Sequence, residues 1–254
     1  MPYLEEVFRL SGIPTYTFVH PDRYDEIKVS VRTPGRCLVL EGPSGIGKTT
    51  TITKILADLG ISAQVLSLSA RKESDLDFIV ELPKLGDLGT VIVDDFHRLN
   101  DATKARLSDF MKVLADSGNP SSKLILIGIN KAGQQLVKFA HDLGLRVDVF
   151  KLETNSEEQI QKLVMQGEAA LNITLPDKEA ITRHAQGSFQ IAQLLCHKLC
   201  VLAHVAVNVH ADMKRSVEQV IDKGYLQALL SDPEKSRASL SVLSLRTINN
   251  GSKC

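Results

Sequence analysis

Gly42-Pro43-Ser44-Gly45-Ile46-Gly47-Lys48-Thr49 reads G-x-x-x-x-G-K-T without deviation. An apolar run, Cys37-Leu38-Val39-Leu40, leads into it. Beyond it Ile52, Ile55, Leu56 and Leu59 recur on one helical face. The stretch therefore predicts a strand, a glycine-rich loop and a helix in succession. Glycines let the backbone turn its N–H groups toward an anion, and the N-terminus of the following helix adds partial positive charge. In that setting the Lys48 ammonium reaches the β- and γ-phosphates of a nucleotide, and the Thr49 hydroxyl can ligand Mg²⁺. Gly42, Pro43, Ser44, Gly45, Ile46, Gly47, Lys48, Thr49 and Thr50 are accordingly the candidate phosphate-binding residues. The competing reading is a glycine-rich turn before an ordinary helix, and the matching flanks argue against it.

Composition bounds the rest. The chain has 254 residues, 43% of them hydrophobic, enough for one large domain or two small ones with a sizeable core. Lys plus Arg and Asp plus Glu both number 30, so no net field recruits nucleic acid or an anionic membrane, and only a local basic patch could. No apolar run is long enough to span a bilayer. The first ten residues, MPYLEEVFRL, are acidic and amphipathic, unlike a secretory signal. Cys37, Cys196, Cys200 and Cys254 show no C-x-x-C spacing, which fits a reduced, intracellular and cytoplasmic setting. Tryptophan is absent, so no stacking platform for single strands is advertised.

Periodicity orders the chain into four parts. Residues 1–34 read as an N-terminal arm and helix over the nucleotide site. Within them are a short helix over 3–10, a strand or extended arm from Thr15 to Val19, and a helix from Pro21 to about Val31. Residues 35–152 read as an α/β core. Apolar runs at 37–40, 63–68, 90–95, 123–129 and 146–150 alternate with helical patterns, one of them running to about Leu143. Such alternation predicts a five-stranded parallel sheet covered on both faces, with a ligand at the carboxyl ends of its strands. Residues 153–230 read as a small all-α lid. A capping box opens it at Ser156, and further helices run from Pro176, from Ser188 and from about Met213 to Leu230. Residues 231–254 turn polar and weakly periodic, a tail or linker that permits the chain to be one module of a longer protein.

Val91-Ile92-Val93-Asp94-Asp95 resembles the Walker B strand of P-loop NTPases. Asp94 would support Mg²⁺ and Asp95 would position or deprotonate the attacking water. With Asn130 ending the next strand, the chain resembles the AAA+ and STAND NTPases, whose core has an extra strand between the P-loop and Walker B strands. The resemblance implies that Asn130 is the sensor-1 residue, though a helix-capping role remains open. It implies that Arg146, before the fifth strand, is an arginine finger in cis or toward a neighbour. The alternative is a surface pair with Asp148 or Asp142. It implies base contacts from Val19 and His20, in a segment that could equally be a packing arm. Phe189 and Gln190 occupy the turn where AAA+ proteins often carry a sensor-2 arginine and STAND proteins a G-x-P. That departure favours slow turnover or a nucleotide-held switch; Arg183 is a poor substitute for that arginine, and Arg98, just past the Walker B strand, is a weaker rival to Arg146 as the finger. Cys196, Cys200 and His204 share one helical face, as buried core residues or, less readily, as an incomplete zinc set. The resemblance thus implies an ATP- and Mg²⁺-dependent AAA+/STAND-like ATPase that controls assembly or signalling. The implied partners are ATP and ADP, a homo-oligomer in the ATP state, and an unidentified protein partner or fused effector. A DNA-associated loader or initiator is a further reading. No N-K-x-D guanine motif follows Asn130-Lys131.

Overall fold

The computed structural model describes residues 2–118, 121–129, 146–203, 205 and 215–216. Asn130, the helix to about Leu143, His204, the tail from 231 and most of the expected fourth lid helix lie outside the described residues. Among the described residues, β1 (Cys37–Glu41), β2 (Val65–Ser69), β3 (Gly89–Asp94), β4 (Ser122–Gly128) and β5 (Val147–Lys151) form one parallel sheet. Its order is β2-β3-β4-β1-β5. β1 and β4 are buried at every position because they are central and covered on both faces, which is why they read as unbroken apolar runs. Successive side chains take opposite faces. Leu38, Leu40, Ile125 and Ile127 pack under α2 (Tyr24–Arg32) and α3 (Lys48–Asp58). Cys37, Val39, Leu124 and Leu126 pack under α4 (Glu73–Glu81) and α5 (Asp101–Ser117). Since all strands run the same way, the ends of β1, β2, β3 and β4 share one edge, and the glycine-rich loop sits there.

Local chemistry moves several expected boundaries. The helix read from Pro21 begins at Tyr24, whose N–H bonds the Pro21 carbonyl at 3.0 Å, so the proline forms the preceding turn. The first helix shrinks to α1 (Leu4–Val7). Thr15 to Val19 is no strand; Thr17 instead donates its hydroxyl to the Val7 carbonyl at 3.0 Å. Asp95 falls outside β3 because its backbone is left-handed, at φ 57°. α5 starts where expected for a capped helix, with the Asn100 side chain accepting from the Thr103 N–H at 2.8 Å.

The lid comprises α6 (Glu157–Leu171), α7 (Lys178–Ala185) and α8 (Phe189–Leu202). The Ser156–Gln159 capping box is formed as expected. α7 begins after Pro176, capped by Asp177. Arg215–Ser216, expected inside a fourth helix, is instead a short strand (β7) parallel to β6 (Ile173–Thr174). Residues 1–34 do not act as one unit. Leu4, Val7, Phe8 and Val19 join the lid core with Leu163, Val164, Ile181 and Leu195, whereas Tyr24, Ile27 and Val31 join the sheet core. Cys196 and Cys200 are buried in the lid core, and burial pushes both thiols up, Cys200 to about 12. Among the described residues no three or more His, Cys, Asp or Glu side chains gather into a metal-ligand cluster, and no described helix is long and apolar enough to cross a membrane.

One buried cation ties α2 to the sheet. Lys123, 8% exposed, donates to the carbonyls of Ser30, Thr33 and Arg36 at 2.9, 2.6 and 2.6 Å. These oxygens lie at the end of α2 and just beyond it, where helix carbonyls lack intrahelical partners, and the Ser30 carbonyl also accepts from the Thr33 N–H at 3.1 Å. Lys123→Met keeps the stem and removes the donor that the three carbonyls share. It is expected to cost about 2–3 kcal/mol in urea unfolding, and an unchanged midpoint would contradict this account.

Candidate nucleotide site

β1 delivers the chain to the loop, and α3 begins at Lys48 directly after it. Gly42 and Gly45 have φ of 152° and 80°. A Cβ on Gly42 would stand 2.2 Å from the Leu152 carbonyl oxygen, and one on Gly45 would stand 2.6 Å from Ser188 Oγ. The loop is thus hemmed in by the segment entering the lid and by the start of α8. Lys48 Nζ lies across the loop, donating to the Gly42 and Pro43 carbonyls at 2.9 and 2.6 Å. Burial pulls this ammonium below its ordinary value, and the charges of Asp94 and Asp95 oppose that pull.

The end of β3 meets the start of α3. Thr49 Oγ1 donates to Asp94 Oδ2 at 2.7 Å, and Asp94 Oδ1 accepts the Asp95 N–H at 2.7 Å. Asp94 therefore faces the loop beside the threonine expected to share a cation with it. Asp95 faces β2 instead. Arg71 grips its carboxylate, Nη2 to Oδ1 at 2.8 Å and Nε to Oδ2 at 2.7 Å, and the Ser69 hydroxyl donates to it more weakly at 3.4 Å. That fork raises the Arg71 guanidinium further above its usual value. Arg71 carries no motif signal in the sequence. It reaches Asp95 because Ser69 pairs in register with Asp94, a neighbourhood that strand pairing alone creates.

A cleft of about 400 Å³ opens between the sheet edge and the lid. Ser44, Gly45, Gly47, Lys48, Thr49, Thr50, Arg71, Asp94 and Asp95 line its polar half. Pro14, Thr17, Phe18, Val19, Leu163 and Phe189 line the other, together with Gln190 and Gln193. Val19 lines the cleft. His20 does not line it, for its ring stacks on Tyr24 with centroids 4.0 Å apart. Periodicity could not reveal that the turn from Arg9 to Pro14 also forms this wall, since it is the docking of α1 in the lid that carries it there.

Arg146 is not brought to its own chain's loop. It precedes β5, whose first residue, Val147, pairs with Cys37, at the end of the sheet opposite the loop. Its Nε donates to Asp116 Oδ1 at 2.6 Å. Of the two anticipated partners, Asp148 accepts from Arg36 and Ser30, and Asp142 lies outside the described residues. Arg98 and Arg183 do not line the cleft.

α8 closes on the loop through one backbone N–H and one hydroxyl, with no arginine in its first turn. The Gln190 N–H and the Ser188 hydroxyl both donate to the Gly45 carbonyl, at 3.1 and 3.3 Å. The Phe189 ring lies 3.4 Å from where a Gly47 Cβ would be. Asn155 Nδ2 donates to the Gly187 carbonyl at 2.7 Å and reaches the Ile46 carbonyl at 3.5 Å. The donor set suits a bound polyphosphate with a hard divalent cation: a helix N-terminus, an ammonium, and a hydroxyl beside a carboxylate.

Comparison with known proteins places this geometry. No family model matches the chain. It is similar to the Holliday junction branch migration complex subunit RuvB of Chlorobaculum tepidum, 28% identical over 229 residues, covering 80% of this chain and 65% of that protein. The chain thus spans just under two thirds of that relative's length. Among solved structures, RuvB of Thermotoga maritima, described as a branch migration motor, superposes with TM-score 0.52 at 18% identity, over 86% of this chain and 77% of that one. The ORC2 protein of Aeropyrum pernix, solved with ADPNP and ADP, superposes with TM-score 0.60 at 13% identity, over 90% and 71%. At these identities the structures speak for the fold alone.

Proposed function

We propose that this chain, a P-loop NTPase of the AAA+ class, binds Mg-ATP between its sheet and its lid, hydrolyses it slowly, and uses the nucleotide to control assembly. The observation that carries the reading is the 2.7 Å contact of Thr49 with Asp94 beside the Lys48 loop. Lys48, Thr49 and the loop N–H groups would hold the phosphates, and Asp94 would support the metal. A divalent cation there would spread the charge developing on the phosphoryl oxygens. Asp95, 15% exposed, is the carboxylate available to accept a proton from water. Its bidentate pairing with Arg71 restrains that role, because both carboxylate oxygens are already engaged by the guanidinium on the β2 side. Slow turnover follows from this pairing and from the absence of an arginine in the first turn of α8. Assembly in the ATP state would be the route by which Arg146, remote from its own loop, meets a neighbour's nucleotide. A fused effector or protein partner and a cytoplasmic setting belong to the same proposal.

Two variants test the assignment. Asp95→Asn is expected to retain ATP while losing turnover by about a hundredfold or more. Arg71→Ala, freeing the same carboxylate, is expected to raise basal turnover several-fold. Should Arg71→Ala instead fall as far as Asp95→Asn, the guanidinium would be acting on the substrate and the restraint reading would be wrong.

The likeness to RuvB favours a second reading, a DNA-associated ATPase. Equal numbers of basic and acidic residues give it no global support. Stimulation of turnover by duplex or junction DNA, fading as salt rises, would favour it. A flat response at every salt concentration would remove it.

A further inference from the structure

The phosphate loop keeps its N–H groups open. Those of Ile46, Gly47, Lys48, Thr49 and Thr50 find no acceptor among the described residues, and the helical bonds of α3 start with the Thr51 N–H on the Gly47 carbonyl at 2.8 Å. One more helical turn would send the Thr49 and Thr50 N–H groups to the carbonyls four residues back, those of Gly45 and Ile46. The lid already reaches both. The Gly45 carbonyl accepts from the Gln190 N–H and the Ser188 hydroxyl, and the Asn155 amide approaches that of Ile46. Gln190 lies in the first turn of α8, where the helix offers its N–H no acceptor of its own. The peptide joining Gly45 to Ile46 is trans, so a grip on its carbonyl from α8 turns the Ile46 N–H away from α8. Gly47 permits either form of the loop, since glycine takes its present φ of 98° and a helical φ about equally readily.

We infer that Ser188 and Gln190 are positioning residues of the nucleotide site: by occupying the Gly45 carbonyl they hold the loop in the form whose N–H groups meet phosphate, so that lid docking and polyphosphate binding strengthen each other. The inference rests on the nucleotide reading above and names what ties the lid to the ligand. When α8 lifts away, the Gly45 carbonyl loses two donors, and the Thr49 N–H is the replacement that one more turn of α3 supplies. That bond consumes a donor the phosphate needs. Bound phosphate engages the same N–H groups and so leaves the Gly45 carbonyl to the lid. Coupling of this kind is reciprocal. It runs through a carbonyl, a backbone N–H and a hydroxyl, so it needs no charged side chain on α8, and it answers to the phosphates rather than to the base.

The test follows amide hydrogen exchange residue by residue in the full chain, with and without saturating ADP. The Gln190 N–H reports the lid–loop bond directly. The Ala203 N–H, bonded to the Leu199 carbonyl at the other end of α8, reports the helix alone. ADP is expected to slow exchange at Gln190 about tenfold and at Ala203 far less. An unchanged rate at Gln190, or equal slowing at both, would overturn the proposal while leaving nucleotide binding intact. Two variants titrated calorimetrically with ADP then separate the N–H from the side chain. Gln190→Ala keeps the N–H, and Gln190→Pro removes it within the first helical turn, where proline is tolerated. ADP is expected to bind Gln190→Pro about fivefold to tenfold more weakly than Gln190→Ala. Equal affinities would overturn the proposal, and if Gln190→Pro fails to fold the wild-type exchange rates decide alone. Failure of ADP to bind wild type would remove the nucleotide reading itself and this inference with it.

Discussion

Replacing Lys48 by alanine is expected to lower kcat/KM for ATP by about two to three orders of magnitude, the range for losing one preorganised charge donor. Its effect on thermal unfolding should be small. The ammonium now bridges two carbonyls of its own loop, and removing such a donor costs about 1 kcal/mol. Part of that is offset because a charge held below its ordinary ionisation range by burial is no longer desolvated. Function and stability should therefore separate cleanly at this residue. Lys48→Arg should rescue poorly, since a planar fork does not reproduce a point charge seated among loop carbonyls. Calorimetric titration with ADP and a non-hydrolysable ATP analogue, beside scanning calorimetry, checks both halves. An alanine variant with wild-type affinity and turnover would show that Lys48 does not meet phosphate.

Gly167→Ala is expected to destabilise the protein by about 3–4 kcal/mol, within the range for losing a buried phenylalanine. The new Cβ would stand 2.0 Å from Phe8 Cζ and 2.2 Å from Phe8 Cε1. Phe8 is fully buried and has little room to shift. Its carbonyl meets His197 Nδ1 at 2.9 Å, and Val7 beside it is held by Thr17. The ring must leave, and the arm that forms one wall of the cleft leaves with it, so ATP affinity should fall as well. Phe8→Ala alone should cost a similar amount, and the double variant much less than the sum. Gly86→Ala, where an added Cβ meets nothing within 4 Å, serves as the neutral control. Additive losses in the double variant would mean that Phe8 and Gly167 do not share one packing site.

Much of the core was legible from residues alone, and the reason is local. Gly42 to Thr49 carries its own structural instructions: glycines where the backbone must turn, then a lysine and a threonine on the first turn of a helix. β1, β3 and β4 are apolar runs because both their faces are covered. Thr49 and Asp94 were expected to work together and they meet. Val19 lines the cleft and His20 does not, its ring stacking on Tyr24 instead. What could not be read was anything that depended on which distant element arrives beside another. Arg71 follows a short edge strand in an unremarkable polar run, and only the β2–β3 register sets it against Asp95. Arg9 to Pro14 and Phe8 were assigned with α2 because they precede it, but contiguity along the chain does not decide which core an apolar side chain joins.

The sequence by itself determined a phosphate-binding loop, a carboxylate strand, a parallel α/β sheet and a helical unit after it. These rest on short-range rules of backbone freedom, side-chain period and capping. Tertiary structure decided how those parts constrain one another. It put the N-terminal arm in the lid, closed α8 on Gly45 through the Gln190 N–H and the Ser188 hydroxyl, tied Asp95 to Arg71, and oriented the Gln193 amide through Thr17. Each of these depends on partners far apart in the chain, apolar for the arm and hydrogen-bonded for the rest.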